Sequence, residues 1–178
     1  MWGCVLSDAC IEALLKRRSV RVFKDAEVPL DMILKAIEVA RYAPSAGNKQ
    51  PWRFVIIREG EKLKDLAKIL RYSRPLMNAK VAVMVLANKD ESPTSYMVDA
   101  SLAAMYFWLA LHCTGLGAVW IQTLRNVNEL LEFINAPQNY VPVALFAIGW
   151  PAERPEPKER KPLSEITYLE RYGESVKS

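Results

Sequence analysis

The chain predicts an α+β fold, and three observations carry that expectation. Apolar residues recur at helical spacing at Leu30, Ile33, Leu34 and Ile37, and again at Leu63, Leu66 and Leu70. Short apolar runs beginning at Trp52, at Lys80 and at Val141 read as buried strands. The stretch Tyr96–Cys113 is apolar nearly all round, which suits a helix inside the core or at a large subunit contact. At 178 residues, 51% of them hydrophobic, the chain supports a single domain spanning 1–178 with an ample core.

In chain order, Ser7 and Asp8 make a helix start, and Ile11, Leu14 and Leu15 give one apolar stripe running to Lys16. RRSVRVF follows. If extended, it places Val20 and Val22 on one face and Arg17, Ser19 and Arg21 on the other. Cations and a hydroxyl then converge as an anion site requires; the alternative is a solvated basic helix end beside the C-terminal dipole. Pro29 suits the first turn of the second helix, and Ala43–Pro44 stops it. The loop from Pro44 to Pro51 carries Gly47, Asn48 and Gln50. It reads as a plain turn, or as a stiff loop whose two amides face one planar polar ligand.

A strand from Trp52, an amphipathic helix over Glu61–Tyr72, a strand over Lys80–Ala87 and a polar loop over Asn88–Ser95 lead to the long helix. Beyond it, Gly115 suits the left-handed position that ends a helix, and Gly117 a close backbone approach. A short helix near Glu129–Ile134 precedes the strand Val141–Ile148, where Pro142 marks either the first residues or an edge. From about residue 150 the composition shifts. WPAERPEPKERKP, with Pro151, Pro155, Pro157 and Pro162 among Arg154, Lys158, Arg160 and Lys161, is expected to lie extended over a surface. The β-branched and aromatic residues of Ile166–Tyr172 suit a strand added to a partner's sheet edge.

Several classes of function are excluded. The formal charge of +4 is mixed in sign, with no long basic run interleaved with aromatics, so nucleic acid is not an expected partner. The most apolar stretch, Ala100–Val119, is broken by His112, Thr114, Gly115 and Gly117, so no membrane span is expected. The N-terminus has no basic region followed by a long apolar core, which argues against secretion. Cys4, Cys10 and Cys113 form no CxxC pair and are odd in number, pointing to a reducing cytoplasmic compartment, with Cys4 and Cys10 a structural or frayed N-terminal pair.

The single histidine, His112, reads as a residue packed in or beside the core. Its neighbour Cys113 points about 100° away around the helix axis, so the two form no nucleophile and base pair. Soft-ligand metal sites lack material, and none is expected. GLGAVW is not a dinucleotide fingerprint, because Trp120 takes the third glycine's place and the segment follows a helix. Difficult chemistry in such a chain falls to an organic cofactor.

Three segments, RRSVRVF, APSAGNKQPW and GWPAERPEPKERKP, joined by GLGAVWIQ, together resemble the FMN-dependent nitroreductase family from about Cys10 to Ser164. The resemblance implies a three-layer fold, a central mostly antiparallel sheet flanked by helices, with the C-terminal tail exchanged across a homodimer. It implies that Arg17 and Ser19 bind the FMN phosphate with Arg18 adjoining, and that Arg21 approaches the N1/O2 side of the ring. Pro44, Ser45, Ala46 and Asn48 match a loop that reaches the flavin from the other subunit, with Gln50 in the same motif. Gln122 and Thr123 match the stretch whose backbone lies against the ring near N5. Lys158 and Arg160 match the cationic pair that closes over the phosphate. No side chain is assigned a catalytic proton transfer, since hydride chemistry belongs to the flavin.

The activity so implied is reduction of a nitroaromatic, quinone or similar small-molecule acceptor by NAD(P)H through FMN, with ping-pong kinetics, in a shallow cleft lined in part by Trp120 and aromatic residues of the long helix. The alternatives are another reaction on the same fold, such as reductive dehalogenation, flavin fragmentation or heterocycle dehydrogenation, or a flavin-binding module without turnover. The chain departs from the family pattern in two places. Trp150 stands where Tyr is common, and the span Asn88–Asp99 is short, opening the pocket. Arg74 is a candidate for a further polar contact.

Overall fold

Four strands form one antiparallel sheet in the order β1-β2-β4-β3: β1 is Trp52–Ile57, β2 Val81–Asn88, β3 Gly117–Ile121 and β4 Tyr140–Gly149. The computed structural model describes residues 5–176. Every residue of β2 is buried, because both faces of the sheet are covered. Val81, Val83, Val85 and Ala87 pack with α2 (Leu30–Ala40) and α4 (Tyr96–Cys113). The alternate residues Ala82, Met84 and Leu86 pack with α3 (Gly60–Ile69) and α5 (Val127–Phe133). Period-two alternation through a fully buried strand therefore builds helix, sheet and helix layers, as the resemblance implies.

The long helix spans Tyr96–Cys113 as expected, and its two faces differ. Ala100, Ala103, Ala104, Phe107 and Leu111 are buried against the sheet and α2, whereas Val98, Leu102 and Tyr106, one turn apart, are 38–63% exposed. Gly115, at φ +86°, ends the helix in the left-handed conformation. At Gly117 a Cβ would meet Val20 Cγ1 at 2.8 Å and Pro151 Cγ at 3.2 Å. The segment after α1 (Val5–Lys16) thus lies directly on the end of β3.

Other expectations are corrected. α1 is already under way before Ser7 and Asp8, and its stripe Ile11, Leu14 and Leu15 is exposed rather than packed. RRSVRVF is not a regular strand. It makes isolated bridges, Ser19 to Ala118 and Phe23 to Pro151, and buries Val20 with Phe23, while Val22 is exposed. In α2 the buried face is Ile33, Ala36 and Ala40, which leaves Leu30 and Leu34 open.

Pro142 lies in the first residues of β4, but that strand is interior, between β2 and β3. A register shift opposite Val85/Leu86 pairs Ala144 with Val85 and Pro142 with Leu86, so Val143 is the extra residue and the missing proline N–H falls at an irregularity. Val143 and Ala144 consequently both join the core on the α2–α4 side. In the tail, Ile166 closes a short helix α6 (Leu163–Ile166), and Tyr168 bridges Ser175 of its own chain. Cys4 lies outside the described residues, and Cys10 and Cys113 are free and exposed. No helix among the described residues is long and apolar enough to cross a membrane.

Candidate functional site

Arg17 is the first residue past α1, its N–H still bonded to Ala13 O at 3.1 Å, and its guanidinium lies 3.8 Å above the centre of the Trp108 ring. Nη1 of Arg17 is buried and has no hydrogen-bond partner among the described residues. Burial lowers the Arg17 pKa from its ordinary value, and the positive charges of Arg18 and Arg160 lower it further. The C-terminal arm thus brings the charge of Arg160 within electrostatic reach of the adjacent pair Arg17 and Arg18, and among the described residues none of the three forms a salt bridge to a carboxylate. A partly desolvated guanidinium with an unsatisfied buried donor is costly, and an anion is the kind of partner that would offset that cost.

Around this cluster, Ser19 is half-buried and its carbonyl accepts from Arg21 Nη1 at 3.1 Å. Arg18 donates through Nη1 to Leu15 O and Arg17 O, and borders a cleft of about 540 Å³ with Val20, Trp108, His112, Pro151 and Arg154. His112, half-buried on α4, has its pKa lowered by burial and then by Arg17 and Arg18. Lys158 is exposed on the arm, and its carbonyl lies 3.4 Å from Arg160 Nη1.

The loop from Pro44 to Gln50 lies at the opposite end of α4. Ala46 N–H donates to Asp99 Oδ1 at 3.1 Å, and the buried Asp99 also accepts from Ser92 Oγ at 2.8 Å. Gly47, Asn48 and Gln50 all adopt positive φ. Ser45 Oγ accepts the Gln50 N–H at 3.0 Å, and Gln50 Nε2 donates to Asn48 Oδ1 at 3.1 Å. The two amides therefore pair with each other, leaving Asn48 Nδ2 and Gln50 Oε1 without a hydrogen bond among the described residues. The stiffness has a cause: left-handed Gln50 is strained by about 1 kcal/mol, and these bonds hold it there. Pro44 and Ala46 are exposed.

At the end of β3, Gln122 Oε1 accepts the N–H groups of Thr123 and Leu124, at 2.9 and 3.0 Å. Thr123 is fully buried and donates its hydroxyl to Pro142 O at 2.6 Å, so its side chain and its N–H are both taken within the chain. Trp120 packs on Trp108 and Phe146 with ring centres 6.3 and 5.4 Å apart. Arg74 is exposed, and Trp150 is anchored through Nε1–H to Glu27 O.

Asp99 and Glu153, which organise the candidate site, were not singled out in the sequence, and Trp108 entered only among the aromatic residues of the long helix. Asp99 had a signal, a lone acid in an apolar helix. Trp108 had one too, standing four residues before His112 on one face of α4. Glu153 had none, because its contacts with Arg21 and Val22 span some 130 positions.

The model of the nitroreductase family matches residues 14–91 and 70–150. A protein of Archaeoglobus fulgidus, provisionally assigned as an NADH dehydrogenase/NAD(P)H nitroreductase, is 32% identical over 82% of this chain and 87% of its own length. The iodotyrosine deiodinase of Thermotoga neapolitana is 28% identical over 85% of this chain and 91% of its own. Among solved structures, the FMN-dependent nitroreductase of Clostridium difficile superposes with a TM-score of 0.82 at 28% identity, covering 91% of this chain and 99% of that one.

Proposed function

The chain belongs to the nitroreductase family, and from that premise we propose that it is an FMN-dependent oxidoreductase passing reducing equivalents from NAD(P)H to nitroaromatic, quinone or similar small-molecule acceptors. The observation that carries this reading is the buried, unpartnered Nη1 of Arg17 beside Arg18 and Arg160. The FMN phosphate fits it, offering about two negative charges and oxygens matched to guanidinium donors. When bound, the flavin supplies hydride transfer.

The chain's own residues bind and orient. Arg17, Ser19, Lys158 and Arg160 hold the phosphate. Arg21 sets a fixed positive charge toward the ring, where negative charge develops on reduction. The backbone at Gln122 and Thr123, locked by the Gln122 turn and the Thr123–Pro142 bond, offers a rigid edge.

The remaining residues come from a second copy. Asp99, which holds the loop Pro44–Gln50, lies nine residues before Trp108, or about 14 Å along the helix. One chain presents the loop and the arginines at two ends of α4, and two copies related by a twofold axis bring one of each together. The exposed stripe Val98, Leu102 and Tyr106 supports such a homodimer. So does an apolar groove of about 510 Å³ between α1, α2 and α4, bordered by Leu14, Val39 and Tyr106.

The test is purification without added flavin followed by FMN titration. A yellow protein, or a colourless one that acquires the visible flavin band on titration and loses it with NADH or NADPH, supports the reading. A protein that never acquires the band overturns it. Consumption of NAD(P)H with menadione no faster than free FMN achieves would leave a flavin-binding module.

A further inference from the structure

Trp108 packs against the core and at the same time carries Arg17 on its ring. The guanidinium carbon of Arg17 lies over its ring, 3.8 Å from the ring centre. The indole Nε1–H donates to Ala118 O at 3.2 Å, and the same carbonyl accepts Val20 N–H at 3.1 Å. One carbonyl of β3 therefore ties down both the segment that carries Arg17 and the ring that supports it. The indole is wedged against Phe146 at 5.6 Å and Trp120 at 6.3 Å, so it cannot swing away.

A salt bridge would also fix an arginine, but it would fill the donors that an incoming anion needs. An aromatic face attracts the cation while leaving its in-plane N–H groups free. Nη1 is buried and has no hydrogen-bond partner among the described residues, as an arginine held by a ring rather than by a carboxylate would be.

We propose that Trp108 is a positioning residue for ligand phosphate: it pre-orients Arg17 as an uncommitted fork and thereby makes the site select a phosphorylated flavin over an unphosphorylated one. The proposal rests on the flavin reading above and adds to it the residue that sets this discrimination. A ring that merely filled space would support both flavins equally. The hydrogen bond fixes the tilt of the indole, whereas the stack needs only a π-face, so Phe preserves the function and an aliphatic residue does not.

The experiment measures dissociation constants of FMN and of riboflavin by quenching of flavin fluorescence, for the unaltered chain and for Arg17→Ala, Trp108→Phe, Trp108→Leu and the double variant Arg17→Ala/Trp108→Leu. Trp108→Leu is expected to weaken FMN binding roughly threefold to thirtyfold. Riboflavin affinity stays within about twofold in the same variant, Trp108→Phe stays near wild type, and Trp108→Leu has no added effect once Arg17 is gone. Trp108→Met, whose flexible thioether fills a similar volume, replaces Leu if that variant does not fold. FMN and riboflavin weakened alike by the aliphatic variants, or FMN unchanged in them while Arg17→Ala weakens it, overturns the role of Trp108 and leaves the phosphate site standing. FMN affinity unchanged in Arg17→Ala overturns the phosphate site, and this proposal with it.

Discussion

Glu153 accepts the backbone N–H groups of both Arg21 and Val22 through one carboxylate oxygen, at 2.6 and 3.1 Å. The bond staples the start of the C-terminal arm to the segment that carries Arg17, Ser19 and Arg21, alongside Ala152 N–H to Val22 O. Glu153→Ala is expected to lower stability by about 1–3 kcal/mol, since two donors lose a charged acceptor. Glu153→Gln recovers part of that, because an amide oxygen still accepts. Urea denaturation of the three proteins checks the order wild type, Gln, Ala.

Asp99→Ala removes the acceptor for both Ser92 Oγ and Ala46 N–H. Truncation here is expected to cost about 2–4 kcal/mol, the range for stranding partners of a buried charged group. The loss extends to the loop: amide hydrogen exchange at Ala46–Gln50 should accelerate in this variant more than in the strands. Unchanged loop protection would separate Asp99 from the loop's rigidity.

Gly117→Ala forces a Cβ into Val20 and Pro151. Overpacking of this kind costs about 1–3 kcal/mol. Shortening the obstructing side chain in Gly117→Ala/Val20→Ala should recover part of the loss, and the coupling is read from thermal melts of the four combinations.

The pH dependence follows from His112. Burial and then Arg17 and Arg18 push its pKa below the ordinary 6.5. The unfolded chain therefore takes up this proton at higher pH than the folded one. The stability it contributes is complete above the unfolded pKa and is lost as pH falls through the folded value. Lys16, Arg154, Glu153 and Glu156 also border the cleft, so the diagnostic is a difference between proteins. His112→Gln should be less destabilised than wild type between about pH 7.5 and pH 5.5, measured by urea unfolding. Parallel curves would remove His112 from the acid response.

Much of the fold was legible in the residues. The Tyr96–Cys113 helix, the glycine pair that follows it and the three strand runs were each specified by local period or by a backbone need. RRSVRVF misled because alternation was read where no ladder forms. Gly117 and Gly149 admit Val20 and Phe23 to the sheet's end, three residues apart, and that spacing is set by the surface beneath the segment rather than by its own period. The stripes on α1 and α2 misled for a related reason. Apolar spacing announces that a face needs cover, and Leu14, Leu15 and Leu34 find none within one chain. For the site, Arg17 and Arg160 were nameable from their motifs. The ring beneath Arg17 and the acid that fastens the arm arise only when distant strands converge.

The arm itself separates two properties that most enzymes entangle. Trp150, Pro151 and Glu153 still fasten the start of the arm to the core, whereas residues 156–176 are exposed along their whole length. Substitution, lengthening or proteolytic trimming past residue 156 therefore removes no buried contact of this chain. An arm rooted by three residues and bare beyond them can vary in sequence without disturbing the buried sheet.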